Sequence, residues 1–307
     1  MTKLSLLLAM ISLVPGCAMT DPDVGVDEAP VTTTNGVRLN GVRLNGVRLN
    51  GVALNGVRLN GVRLNGVRLN GVALGGETLS GSVITAVENG VTVPPQELLG
   101  STWEGRLSDG SILPVRLDTI SRGEGTNVDV AMYGFSYQTT TGWVGLCDLG
   151  DGSPPPLALA VQGTWNYNEG VTGGGSYDAT AADITLACRG VAIAKCVEMG
   201  YKPWRGKAAY LAACTRALRA DYCGNGTPYT ADGTTINIYD TAGLQLDTEA
   251  WDPEASWNAN GAVCIKRTNR AVEVLSTRPA CITTLTQTTC PTLKSTTLIK
   301  TELPPLT

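Results

Sequence analysis

With no histidine anywhere in its 307 residues, the chain must look to carboxylates for general acid–base chemistry. Glu198, Asp221, Asp232 and Asp240, or Asp148 with Asp151, are the acids placed beside turns and helix ends. A carboxylate pair across a glycosidic bond can hydrolyse it without histidine, so a polysaccharide hydrolase is the enzymatic reading these residues support. Ser-His-Asp and Cys-His arrangements are excluded outright. No GxSxG, Walker loop or dinucleotide fingerprint is present; GTWNYNEG and GGGSYD lack the strand–turn–helix context such motifs need. Acids next to turns serve more often as caps and Asx-turns. No catalytic residue is therefore assigned, and the chain is expected to be a non-catalytic binding or surface-structural protein, with the hydrolase as the alternative.

Binding chemistry has better material. Trp103, Trp143, Trp165, Trp204, Trp251 and Trp257 can supply an exposed platform for sugar or peptide. They can equally fill a core that has only one Phe, and Trp204, in KPW, is expected to sit between two helices. Solvent exposure separates the two uses.

Nine cysteines carry the next layer. No CxxC pair exists and histidine is missing, so no tetrahedral zinc set can be drawn, and neither metal nor cofactor is expected. The N-terminus explains the odd cysteine. Lys3 precedes the apolar run LSLLLAMISLV, too short to span a bilayer and laid out as a secretory signal over residues 1–16. Val14-Pro15-Gly16-Cys17 resembles a bacterial lipobox, which implies that Cys17 is acylated and anchors the chain to a membrane; a plain signal peptide is the alternative. Removing Cys17 leaves Cys147, Cys188, Cys196, Cys214, Cys223, Cys264, Cys281 and Cys290, an even set suited to disulfides in an oxidising compartment. Short spacings suggest Cys196 with Cys214 or Cys223, and Cys281 with Cys290. The expected location is the cell envelope, as an outer-membrane lipoprotein facing periplasm or surface, or secretion.

Residues 17–34 form a linker, and 35–84 a repeat. NGVRL occurs three times and then NGVAL, and the same twenty residues recur from Asn55 to Leu74. The pattern resembles the pentapeptide-repeat family, which implies a four-sided β-helix with Val37 and Leu39, and their successors, turned inward. Eight clear repeats make only two coils, whereas stacked repeats need about three units. The β-helix-like form and a flexible stalk both stay open. Arg38, Arg43, Arg48, Arg58, Arg63 and Arg68 give this segment +6 against −4 for the whole chain. They are candidates for contact with anionic envelope lipid or polysaccharide near the anchor. The overall charge gives no sign of a nucleic-acid binder, and no protein partner is indicated.

Residues 85–96 read as a linker. Strand patterns follow, with hairpins expected at Asn89-Gly90 and Asp109-Gly110 and buried strands in VDVAMYGFSYQTTTGWVGL, PLALAVQ and ITLAC. GVAIAKCVEM reads as a short helix closed by Gly200, and Arg205–Ala220 as a longer one stopped by Gly224-Asn225-Gly226. In the longer helix Leu211, Cys214 or Thr215, Leu218 and Tyr222 share one face, with Lys207, Arg216 and Arg219 elsewhere. TTINIYD, GLQLD, GAVCIKR and VEVLS look like short strands, and the Thr/Pro-rich stretch from Thr286 is expected to wind over the surface. The fold class is α+β: a disulfide-rich antiparallel β domain with an inserted helical hairpin.

AKCVEMGYKPW, AACTRALRADYCGNGTPYT and DGTTINIYD together resemble the ADYC domain, a bacterial family of unassigned function named for the tetrapeptide Ala220-Asp221-Tyr222-Cys223. The resemblance spans about residues 97–290, leaves 291–307 as a tail, and implies an exported protein without bringing catalytic residues. Asp221 is expected to bond loop amides or Arg219, and Tyr222 to pack beside Cys223.

Overall fold

The computed structural model describes residues 53–54, 57–69, 72–73, 75–88, 90–107, 112–148, 155–287, 290 and 296–305, all within one compact unit, Thr34–Thr307. Cys17, Arg38, Arg43, Arg48 and Asp151 lie outside them.

Six antiparallel strands close into a ring: Val57–Leu69, Ile184–Cys188, Ala158–Gln162, Ala131–Thr139, Ile112–Arg122 and Thr102–Leu107, the last pairing again with Val57–Leu69. Alternation along the strands builds the inside. Trp103, Val115, Leu117, Tyr133, Phe135, Ala160 and Leu186 form one buried cluster. Intervening residues on three of the strands, Met132, Leu159, Val161 and Ala187, belong to a second cluster with the helices. Strands buried on both faces read as continuous apolar runs, which is why PLALAVQ and ITLAC carry so little polarity. A three-stranded sheet, Gly75–Ser80, Val83–Glu88 and Val91–Val93, adds Ile84, Ala86 and Val93 to the ring cluster.

Residues 57–69, within the repeat, belong to this ring. They form one 13-residue strand in the ring, which is the part of the repeat the described residues cover most fully. A five-residue period conflicts with the two-residue period of a strand, because each repeat would swap the faces of Val and Leu. The pairing with Thr102–Leu107 carries register shifts between Leu59 and Gly61 and between Arg63 and Arg68.

The helical hairpin is Ala192–Glu198, closed by Gly200 at φ 100°, and Ala208–Arg219. The second helix ends four residues earlier than the Gly-Asn-Gly turn: Ala220 takes the left-handed cap conformation at φ 52°. Arg216 and Arg219 are buried rather than solvated, because acceptors from loops await both (below). Behind the helices lies a four-stranded sheet in the order Asn237–Asp240, Ile299–Leu303, Asp252–Asn258, Gly261–Ile265. Its second strand corrects the surface-tail expectation. Ile299, Thr301 and Leu303 are buried, so the C-terminal segment completes the core and is not a covering. Asn237–Asp240 pairs with it instead of forming a local hairpin. VEVLS is not a strand; Asn269 caps a one-turn helix, Arg270–Glu273, through its side chain. GLQLD has no strand either, because its backbone amides are drawn to Asp240.

Four disulfides fasten these layers: Cys147–Cys188, Cys196–Cys214, Cys223–Cys281 and Cys264–Cys290. The expected Cys281–Cys290 pair is replaced. Cys223 leaves the long helix directly against Cys281, while the bridge from Ile265 to Thr286 brings Cys290 to Cys264. Among the described residues no helix is long and apolar enough to cross a membrane.

Candidate functional site

The ADYC tetrapeptide is a structural node. Ala220 caps the helix. Asp221, fully buried, receives the Arg216 guanidinium and the amides of Asn225 (3.1 Å) and Gly226 (3.0 Å). Its arginine partner is thus Arg216, one helical turn before Arg219. Arg216 also donates to the Gly174 carbonyl, and Gly175, at φ 71°, lies so near that an added Cβ would stand 2.5 Å from the guanidinium. Gly175 is therefore required by the arginine, whereas at Gly174 a Cβ would meet the carbonyls of Asn225 and Asn168. Arg219 holds the Gly226 carbonyl (2.7 Å) and Glu169 (3.2 Å). Tyr222 donates to Glu254 and accepts from the Arg270 amide, stacked on Trp257 with ring centroids 5.2 Å apart. Burial, then the Glu254 charge, pushes its hydroxyl well above the ordinary tyrosine pKa. Cys223 completes a disulfide.

The remaining described acids are held by separate contacts or stand at the surface. Asp240 accepts from the Tyr201 hydroxyl (2.8 Å) and the amides of Ala242, Leu244 and Gln245. Glu198 bridges to Arg189 at 2.8 Å. Asp232 and Asp148 are exposed in different loops. Among the described residues no cluster of three His, Cys, Asp or Glu is placed to hold a metal. Lys195, whose burial lowers its pKa to about 8 against the opposing charges of Asp232 and Glu198, belongs to the first helix of the hairpin.

The tryptophans separate cleanly. Trp103, Trp165 and Trp257 are buried, Trp204 and Trp251 half-buried, and Trp143 is 36% exposed. Trp204 lies in the turn Pro203–Arg205 that joins the two helices, but its ring rests against Gly81 and its Nε1 stands 3.4 Å from Asp129 rather than between the helices.

Trp143 sits on a short edge strand, Gly142–Gly145, paired with Ala131–Thr139. Register defines its surroundings. Trp143 lies opposite Gln138, and Ser136, two residues away on the same face, lies opposite Arg116, which in turn faces Thr102. The opposite face carries Val115, Phe135 and Trp103 into the core, so this face is the outer one. The Arg116 guanidinium stands 4.4 Å from the Trp143 ring centre, and Asp118 fixes its Nε at 2.6 Å. Ser136 Oγ is buried beneath without a hydrogen-bond partner. An exposed indole beside an amide and a fixed guanidinium can stack a sugar ring and bond its hydroxyls. Sequence singled out Trp143 only as one of six. Polar residues at alternate positions, Ser136 and Gln138 in FSYQ and Arg116 and Asp118 in VRLD, were the signal that would have isolated this face.

Of the six repeat arginines, Arg58, Arg63 and Arg68 lie in the ring strand, opposite Ala53, Glu104 and Thr102 respectively.

The ADYC domain model matches residues 95–271, and the pentapeptide-repeat model matches eight copies over residues 35–72. No curated protein and no solved structure matches the chain.

Proposed function

Starting from a chain that belongs to the ADYC domain family, we propose an exported envelope protein, acylated at Cys17, whose domain is a non-catalytic module that holds an envelope polysaccharide on the sheet face around Trp143. The supporting observation is the exposure of that one indole on a rigid antiparallel sheet, beside a guanidinium already held in place. The engagement of Asp221, Asp240 and Glu198 in structural contacts supports a binding role over hydrolysis. Four disulfides fit folding in an oxidising compartment. Arg38, Arg43 and Arg48 add positive charge between Cys17 and the ring strand, suited to anionic lipid or polysaccharide.

Two experiments test the proposal. Mass spectrometry of the membrane fraction should find an N-terminus at acylated Cys17, and any other mature N-terminus overturns the anchor. A glycan array probed with the full chain should give signals that survive Glu198→Gln and Asp232→Asn. Release of reducing sugar that either change abolishes would establish the hydrolase instead.

A further inference from the structure

A cavity of about 440 Å³ opens at the rim of the four-stranded sheet, lined by Asp252, Pro253, Lys266, Arg267, Thr268 and Gln287. Its wall is fixed from behind. The Lys266 amide donates to the Glu254 carbonyl (2.7 Å) and the Gln287 amide to the Ile265 carbonyl (3.0 Å). Asn269, 1% exposed, turns its Nδ2 to the carbonyls of Lys266 (2.9 Å) and Arg267 (3.0 Å), which holds the 266–268 loop in place.

Asp252 and Arg267 both line this space, yet they make no ion pair with each other or, among the described residues, with any other group. Opposite charges that share a cavity without meeting leave room for a ligand that satisfies both. Lys266 has an interaction of its own, so Arg267 and Asp252 are the open charges of the lining. That favours a ligand with one negative group and several hydroxyls.

We infer that this cavity binds an acidic sugar of the hexuronate type. The planar guanidinium of Arg267 matches a carboxylate at two points, with Thr268 and Lys266 beside it. Asp252 accepts from ring hydroxyls, and the Gln287 amide serves the remaining oxygens. The volume is within the range of small-molecule sites and admits one sugar ring. The site stands apart from the Trp143 face and does not depend on it.

The test is titration of the full chain with D-glucuronate, D-glucose and inorganic phosphate, followed calorimetrically at low salt. Glucuronate should bind, glucose should not, and Arg267→Gln should weaken glucuronate at least tenfold while leaving thermal stability unchanged. Asp252→Asn should weaken it less, and Trp143→Ala should leave it unaltered. Equal binding of glucose, an Arg267→Gln variant that binds as well as the parent, or phosphate binding tighter than glucuronate would each overturn the inference.

Discussion

Glu254 and Arg270 form a two-point ion pair with no solvent access to either side chain, Nε to Oε1 at 2.8 Å and Nη2 to Oε2 at 3.1 Å. Burial acts to raise the Glu254 pKa, but the guanidinium outweighs it and holds the carboxylate below its ordinary range. Arg270 also donates to the carbonyls of Ala217 and Leu218, so it ties the sheet to the end of the long helix. Removing one member strands a buried charge. Glu254→Gln or Arg270→Met should cost about 3–5 kcal/mol in urea unfolding, and the double change Glu254→Leu/Arg270→Met should recover much of it. Single variants within about 1 kcal/mol of the parent would show that the pair is not a structural centre.

Asp129 gives the fold an acid limit. Its carboxylate takes Lys202 Nζ (2.5 Å) and Arg205 Nη2 (2.8 Å), joining the ring to the hairpin. Burial opposes ionisation, yet these hydrogen bonds win and lower its pKa from 3.8 to about 2. A depressed pKa means the unfolded chain binds the proton first. The stability from this contact is therefore complete above about pH 4 and lost as pH falls toward 2. Asp129→Asn should flatten the stability profile over that window, and an unaltered acid profile would contradict it.

The ring strand supplies a third expectation. Val62 is paired with both Gly105 and Ile184, so proline there removes a backbone donor at the closure of the ring. Residues 37–49 repeat the sequence of 57–69, so Val42→Pro is made together with Val62→Pro. Loss of the paired donor should cost about 1–3 kcal/mol. Unchanged thermal unfolding would mean that the domain closes without its repeat.

What sequence revealed followed from local periodicity. Ala158–Gln162 and Ile184–Cys188 were legible as continuous apolar runs, and the helix around Leu211 and Leu218 because its burial repeats at three to four residues. Ile299–Leu303 was not, because its burial depends on strands more than forty residues earlier in the chain. The burial of Arg216 and Arg219 was hidden for the same reason: their acceptors, Gly174 and Gly226, lie in loops that the helix pattern cannot see. Cysteine pairing failed where spacing was the guide, at Cys281 and Cys290, and succeeded at Cys196–Cys214, where the two helices are adjacent in the chain. The Trp143 face was hidden among six tryptophans because exposure is a property of the sheet and not of the residue.

Binding at Trp143 is tested most directly by isothermal titration of the full chain with an envelope polysaccharide selected on a glycan array, comparing the parent with Trp143→Ala and Trp143→Phe. Stacking on an aromatic ring contributes about 1–3 kcal/mol by analogy with bases on aromatic platforms. Trp143→Ala should therefore weaken binding roughly ten- to a hundredfold, with Trp143→Phe retaining most of it and no reducing sugar released by any form. Equal affinity in the alanine variant would contradict the account.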